Sequence, residues 1–320
     1  MSEDPGVIAA VALLSAALGP NVRTGASLAA FTTFRVGGPA EVLVEVDSEA
    51  DLGPVAEALA ISGLPLLVVG QGSNLLVADD GVRAITVVLG SGFATLATDG
   101  PFVEAGAAVK LPVLARRTAA AGRAGLEWAV GVPGSVGGAV RMNAGGHGSD
   151  ISASLVSARV ATLGRPPMIS ELGVDELTLG YRSSAISSAQ VVLRAAFRCP
   201  RGDVATSEAM IADIVRWRRE HQPGGQNCGS VFTNPPGTSA GRLIDECGLK
   251  GLRVGSATVS HKHANFIQVD EQGRANDIWQ LIALVRGRVH ARHGIWLHPE
   301  VRTAGLFPPL PEATPTKEQP

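Results

Sequence analysis

The chain has 320 residues, 45% of them hydrophobic and 18% charged, which excludes a disordered chain and suits two or three lobes better than one small core. Twenty-nine acidic against 27 basic residues leave a net charge of −2, without the basic surplus a general nucleic-acid binder needs to neutralise phosphates. The cysteines, Cys199, Cys228 and Cys247, form no C-x-x-C pair and are three in number, the usage of a reducing compartment and not of a disulfide framework.

In chain order, Val7 to Leu18 is apolar, but Glu3 and Asp4 precede it where a signal peptide would be basic, and the run is too short to span a bilayer. It reads as a surface helix ending at Gly19-Pro20. Glu41 to Val46 alternates like a half-buried strand, Val55 to Ile61 is a helix stopped by Gly63, and Leu66 to Val69 and Ala84 to Leu89 are apolar strands. Phe102 to Val109 reads as a strand and Pro112 to Ala121 as a helix, with proline near its start and Gly122 past its end. Strand-like runs continue to Phe197, and Cys199-Pro200-Arg201-Gly202-Asp203 marks a boundary. Ser207 to Glu220 is then a helix broken by Pro223-Gly224-Gly225. Ser239 is expected to cap a helix ending before Gly248. Ile278, Leu281, Ile282, Val285 and Val289 fall at helical spacing behind a cap at Asn276 or Asp277, and Leu297 to Thr303 is a last strand. The organisation expected is an N-terminal helix at 1–24, lobes at 25–90 and 91–203, a separate lobe at 204–303, and a disordered, proline-rich tail at 304–320. No stretch approaches 18 apolar residues, so the expectation is a soluble cytoplasmic protein with neither membrane nor nucleic acid as partner.

Glycine is the compositional anomaly: 39 residues, or roughly one in eight against a usual one in fourteen. The glycines gather in loops. Gly70-Gln71-Gly72-Ser73-Asn74-Leu75 follows an apolar strand, and two glycines let successive amides turn toward one point, either as a nest for a pyrophosphate or as a tight turn. Leu75 stands where the dinucleotide fingerprint needs its third glycine. Gly131-Val132-Pro133-Gly134-Ser135-Val136-Gly137-Gly138, continuing to Asn143-Ala144-Gly145-Gly146, suits a large flat ligand lying on the backbone, or a long flexible loop. Gly229-Ser230-Val231-Phe232-Thr233-Asn234-Pro235 carries a serine with no histidine beside it. Pro299-Glu300-Val301-Arg302 sets a carboxylate and a guanidinium two apart on a strand, where either a site or a surface pair would look the same. Gly237-Thr238-Ser239-Ala240-Gly241 matches a nucleophile elbow but lacks the strand before it. No lysine follows a glycine, so there is no Walker A loop, and the histidines give no metal-ligand set.

Taken in order, these loops resemble the UDP-N-acetylenolpyruvoylglucosamine reductase family, from Phe31-Thr32-Thr33-Phe34 to Pro299-Glu300-Val301-Arg302. Tyr181-Arg182-Ser183-Ser184 and His263-Ala264-Asn265-Phe266 belong to the same match. The resemblance implies an α+β fold: a two-lobed FAD-binding unit of the vanillyl-alcohol-oxidase type with a C-terminal α+β lobe for the substrate. It implies non-covalent FAD, NADPH as co-substrate, and reduction of the enolpyruvyl ether of a UDP-sugar to UDP-N-acetylmuramate, by hydride transfer from the flavin to the terminal carbon. The cofactor residues it implies are Gly70, Gln71, Gly72, Ser73, Asn74 and Leu75 on the first loop, with Gly131, Pro133, Gly134, Ser135, Gly137, Gly138, Asn143, Ala144 and Gly145 on the second, and Arg302 near the ring. Arg182 is implied to bind the carboxylate and the developing enolate. Glu300 lies close by, useful there only if protonated or bridged to a donor. Ser230 delivers the proton. Tyr181, Arg218 and Asn234 are implied to contact the substrate, Arg218 at its diphosphate, with His221 where relatives often carry lysine. Tyr181 is the one tyrosine, so the chain matches the shorter subtype without a tyrosine-bearing lid.

Overall fold

A computed structural model describes residues 4–311. Its first half runs α1 (Pro5–Leu18), β1 (Val22–Ser27), β2 (Pro39–Val46), α2 (Leu52–Ser62), β3 (Leu66–Val69), β4 (Leu75–Val77), β5 (Val82–Leu89), β6 (Leu96–Ala97), β7 (Val103–Gly106), α3 (Leu111–Ala120) and α4 (Val136–Met142). A small hairpin, β8 (Gly145–Gly146) and β9 (Ser149–Asp150), leads to β10 (Leu155–Thr162), β11 (Met168–Gly173), α5 (Val174–Leu177), β12 (Gln190–Phe197) and α6 (Val204–His221). The remainder is α7 (Ala240–Glu246), β13 (Arg253–Val254), β14 (Ala257–Val259), β15 (Ile267–Val269), α8 (Ala275–His293) and β16 (Arg302–Ala304).

Local chemistry sets many of these ends. Asp4 accepts from the Gly6 amide at 2.9 Å to start α1. Gly63 closes α2 in the left-handed region at φ 64°. Ser239 caps α7 by accepting from the Arg242 amide at 3.2 Å. The strand read from Phe102 to Val109 is shorter, because the chain leaves it after Gly106 to turn into α3.

The chain forms two units. The first comprises Met1–Ala26, Ala40–Gln71 and Arg83–Glu220. It holds a four-stranded sheet, β1-β2-β5-β3, with β3 parallel to β5, and an antiparallel five-stranded sheet, β11-β10-β12-β7-β6. One apolar core gathers α3, α4 and the five-stranded sheet around Leu114, Leu126 and Phe197. A second packs α1 and α2 on the four-stranded sheet and takes in Ala161, Val191 and Leu193 from the other, so the two expected flavin lobes share a core.

The second unit comprises Ser27–Pro39, Gly72–Val82 and His221–Pro320. Its core packs α8 and α7 with the sheet β13-β14-β15, together with Phe34, Val36 and Leu76 from the two early segments. β16 lies parallel to β4, with Arg302 opposite Leu75. The cap of α8 is neither Asn276 nor Asp277. The Asp79 carboxylate accepts from the Ala275 and Asn276 amides at 2.8 and 3.0 Å, placing negative charge at the helix N-terminus. Asp277 instead accepts from the Ser256 amide and hydroxyl, which hold its carboxyl below the usual range.

The expected boundaries change accordingly. α6 packs with the first unit: Ser207 donates to Glu127 at 2.6 Å in a buried pair and Ile211 joins the first core, so the division falls after Glu220 and not at 204. Segments 27–39 and 72–82 leave the expected 25–90 lobe for the second unit. The last strand begins at Arg302, not Leu297. The tail is docked as far as it is described: Trp279 Nε1 donates to the Pro308 carbonyl at 2.7 Å, Arg286 donates to Leu297 and Pro311 carbonyls at 2.7 and 3.0 Å, and the Phe307 ring lies 5.1 Å from Trp279. Residues 312–320 of the expected disordered tail lie outside the described residues. Among the described residues no helix is long and apolar enough to cross a membrane.

Candidate active site

In the first unit the two glycine loops meet. β3 delivers Gly70 against Ser135, and a Cβ on Gly70 would collide with the Ser135 hydroxyl. Ser135 is buried and precedes α4 without making a capping bond. Outside its own helix only the Ser135 Oγ, at 4.0 Å, lies near the place a Cβ on Gly138 would take, and Gly70 and Gly138 are both exposed, so their main chain can be approached closely. Other glycines in the motifs serve the protein itself. A Cβ on Gly137 would sit 2.9 Å from Ala107 Cβ, one on Gly145 2.6 Å from Asp150 Cβ, and one on Gly72, in the second unit, would strike the Phe31 carbonyl. The Val136 and Gly137 amides donate to the Val109 and Ala107 carbonyls, both at 2.9 Å, so these two hold the loop to its own fold and are not turned to a ligand. Gly134 O accepts from Leu111 N, Ala144 O accepts from Ile151 N, and Pro133 is exposed.

Asn143 departs most from its expected cofactor contact. It is buried, at φ 40°, and its carboxamide is committed to the protein: Oδ1 accepts from Ser152 N at 3.0 Å, and Nδ2 donates to Gly180 O at 2.9 Å and Asp150 Oδ2 at 3.4 Å. Its bond to Gly180 secures the turn that carries Tyr181 and Arg182, closed by reciprocal bonds between Gly180 and Ser183. Ser184 Oγ donates to Arg141 O on α4 at 2.7 Å. Arg182 sits at φ 55°, an uncommon conformation for a residue with a Cβ, its guanidinium 5.2 Å from the Tyr181 ring centre and donating to Gly145 O at 3.0 Å. Tyr181 is exposed. The motif thus presents a cation beside the glycine loop.

Beside the expected Arg218, α6 adds an aromatic contact that the sequence did not single out. His147, at φ 53°, lies against Gly131, whose missing Cβ makes room for the imidazole, and meets Trp217 edge-on at 5.3 Å. Arg218 follows. Burial pushes its guanidinium down, and burial together with the Arg218 charge pushes His147 down. The available signal was His147 inside the glycine run.

In the second unit, Ser230 and Glu300 are drawn onto neighbouring segments. Phe232 bridges Pro299, the Glu300 amide donates to Val231 O at 2.7 Å, and the Thr233 amide donates to His298 O at 3.0 Å. Glu300 therefore lies against Val231, the residue after Ser230. Asn74 ties in the first loop: its Nδ2 donates to Glu300 O at 3.1 Å and its carbonyl accepts from Arg302 N at 2.9 Å. Leu75 opens β4 and Ser73 precedes Asn74 in the same unit, whereas Gly70 and Gln71 belong to the first. Asn234 Oδ1 accepts from Ala240 N at 3.0 Å, so that oxygen serves the start of α7. Cys228 is buried; burial, with the Glu300 negative charge adding, pushes its thiol far up, and burial pushes Cys199 up to about 11, so neither presents a thiolate. Among the described residues no group of three or more His, Cys, Asp or Glu side chains is arranged to hold a metal ion.

Residues 40–164 match the FAD binding domain family, and residues 221–304 match the family of the UDP-N-acetylenolpyruvoylglucosamine reductase C-terminal domain. The second match begins where the second unit takes over the chain. The UDP-N-acetylenolpyruvoylglucosamine reductase of Rubrobacter xylanophilus is 41% identical over 89% of this chain and 96% of its own. That of a Synechococcus strain is 44% identical over 88% and 93%. The crystal structure of the enzyme from Thermus caldophilus superposes with a TM-score of 0.78 at 36% identity, covering 89% of this chain and 100% of that one.

Proposed function

The chain belongs to the UDP-N-acetylenolpyruvoylglucosamine reductase family, and from that premise we propose how its residues divide the reduction of an enolpyruvyl UDP-sugar. It is an FAD-containing, NADPH-dependent oxidoreductase that acts on the enolpyruvyl double bond of UDP-N-acetylglucosamine enolpyruvate and forms UDP-N-acetylmuramate. Bound FAD supplies the hydride, replenished from NADPH. The exposed main chain at Gly70 and Gly138, with the Ser135 hydroxyl beside both, fits such a group, and exposed Gln71 and Pro133 extend that surface, whereas Gly131 is covered by His147. Gly137, Asn143, Ala144 and Gly145 shape the loop from behind.

The protein's own work concerns charge and a proton. Adding hydride to the terminal carbon leaves negative charge on the adjacent carbon and its carboxylate. Arg182 meets that charge with a planar fork matched to two carboxylate oxygens. Ser230 gives its proton to the adjacent carbon. A serine hydroxyl is a weak acid, but a carbanion-like carbon is a strong base, and water restores the proton. Glu300 assists if it carries a proton or is bridged to a donor, since a bare carboxylate would oppose the enolate. Arg218 holds the diphosphate, Asn234 through its remaining amide group and Tyr181 contact the rest of the substrate, and Arg302, opposite Leu75, would supply a cation near the bound flavin. This reading extends to a cytoplasmic enzyme of peptidoglycan precursor synthesis, required for cell shape and division.

The observation that carries the proposal is the ladder that sets Glu300 against the residue following Ser230. The test is to purify the protein, read its flavin absorbance, and follow NADPH oxidation with and without UDP-N-acetylglucosamine enolpyruvate. Substrate-dependent oxidation with release of a muramyl product is expected. A colourless protein that takes up no FAD removes the reading, and oxidation that ignores the UDP-sugar but consumes oxygen assigns an oxidase instead.

A further inference from the structure

The His263-Ala264-Asn265-Phe266 motif has no part in the chemistry above, yet its asparagine is 3% exposed and bonds the two residues that follow Ser230. Its carboxamide is bonded at both ends to one residue: Oδ1 accepts from Phe232 N at 3.0 Å, and Nδ2 donates to Phe232 O at 2.8 Å. The carbonyl of Asn265 accepts from Val231 N at 2.8 Å, and Val231 O accepts from Glu300 N at 2.7 Å. Every main-chain polar group of Val231 and Phe232 is thereby accounted for, three of the four by Asn265 and the fourth by Glu300. A carboxamide has the donor and acceptor of a peptide group, so this side chain stands in for one more residue of strand. The backbone of Asn265 is itself anchored, its amide donating to His263 Nδ1 at 3.2 Å. Ser230 bridges Phe266 on the same segment.

We infer that Asn265 is a positioning residue for proton delivery, holding Val231 and Phe232 so that Ser230 and the Glu300 segment keep one register. This rests on the reading of Ser230 as proton donor. Serine has a single torsion between backbone and hydroxyl oxygen, so an error in the backbone passes undiminished to the proton. A buried carboxamide bonded twice to one residue's main chain is a demanding way merely to fill space, because losing it leaves a donor and an acceptor unpaired.

The test uses the FAD-loaded enzyme in rapid mixing, with flavin reduction by NADPH and reoxidation by the UDP-sugar measured separately. Asn265→Ala is expected to leave flavin reduction and the substrate KM unchanged and to slow reoxidation about 10²-fold, the scale of a misplaced reacting group. In a Ser230→Ala background the same change is expected to slow reoxidation no further, because Asn265 acts through that serine. Asn265→Asp keeps an acceptor for Phe232 N but opposes oxygen to Phe232 O. Its reoxidation is expected to be slow at neutral pH and to recover as the pH falls and the new carboxyl gains a proton to donate. If Asn265→Ala does not fold, Asn265→Asp carries the test alone. Unimpaired reoxidation, equal slowing of both half-reactions, or multiplicative losses in the double variant would each overturn the assignment. Should Ser230→Ala itself reoxidise at the wild-type rate, the proton-donor reading is what has failed, and the positioning role goes with it.

Discussion

The two units present the side chains proposed for the chemistry by opposite means. In the first, Arg182 stands on a four-residue turn at φ 55°, with Asn143 and His147 also at positive φ nearby in the loop, and one side-chain carboxamide pins the turn at Gly180. In the second, Ser230 lies on a segment laddered on both sides, to Asn265–Phe266 and to His298–Glu300. The difference follows from side-chain reach. An arginine has four torsions with which to bring its fork to a carboxylate, so its backbone can sit on a turn. A serine has one, so its backbone must be fixed. Backbone accuracy is concentrated where the side chain cannot correct an error.

That contrast can be broken or sharpened by substitution. The largest effect belongs to Ser230→Ala: reoxidation of the flavin by substrate should fall roughly 10²–10⁴-fold while reduction by NADPH is unchanged, measured by stopped-flow absorbance. Arg182→Lys keeps the charge but removes the fork, and kcat/KM for the UDP-sugar should fall by the ~1.5–3 kcal/mol of a charge-assisted hydrogen bond. An equal loss in both variants would erase the distinction between reach and fixation. Asn143→Ala and Asn143→Gly test the turn. Both lose the bond to Gly180, but glycine accepts φ 40°, so the alanine variant should be less stable by about 1–2 kcal/mol, read by urea titration, while both lose turnover.

Two smaller effects probe the units apart from catalysis. Asp79→Ala removes the acceptor of two α8 amides and should destabilise the second unit by ~1 kcal/mol, with FAD affinity unaltered. Glu49→Gln tests the first. The Arg159 side chain, bonded to Glu49 at 2.6 and 2.9 Å, holds the Glu49 carboxyl below the usual range. Its stabilisation is therefore present above the unfolded carboxyl value near 4.5 and lost as pH falls through the lower folded value. With both groups more than a third exposed it should amount to only ~0.2–1 kcal/mol, visible as a weaker acid dependence of Tm in the variant.

Much of the local structure was legible from residue order. Gly63 ends α2, Ser239 caps α7, and proline and glycine bracket α3, because caps and breakers act over three or four residues. The glycine loops were legible as places where main chain lies bare or closely packed, although only some of their glycines face open space. Gly137 and Gly145 are glycine because Ala107 and Asp150 press on them, a reason that no spacing in the sequence reveals. Asn143 and Asn234 look like ligand contacts in their motifs, yet both direct carboxamide oxygens to protein amides.

The sequence by itself determined the longer helices, several strands, the ends of α2, α3 and α7, the glycine-dense loops and the family that uses them. Only the tertiary structure decided that α6 stays with the first unit, that segments 27–39 and 72–82 cross to the second, and that Asp79 caps a helix whose first residue is Ala275. It also decided that Asn265 bonds Val231 and Phe232, the two residues after Ser230. The physical reason is range: periodicity and capping record the surroundings of a residue along the chain, whereas a buried polar group is satisfied by whichever donor or acceptor the packed core brings to it.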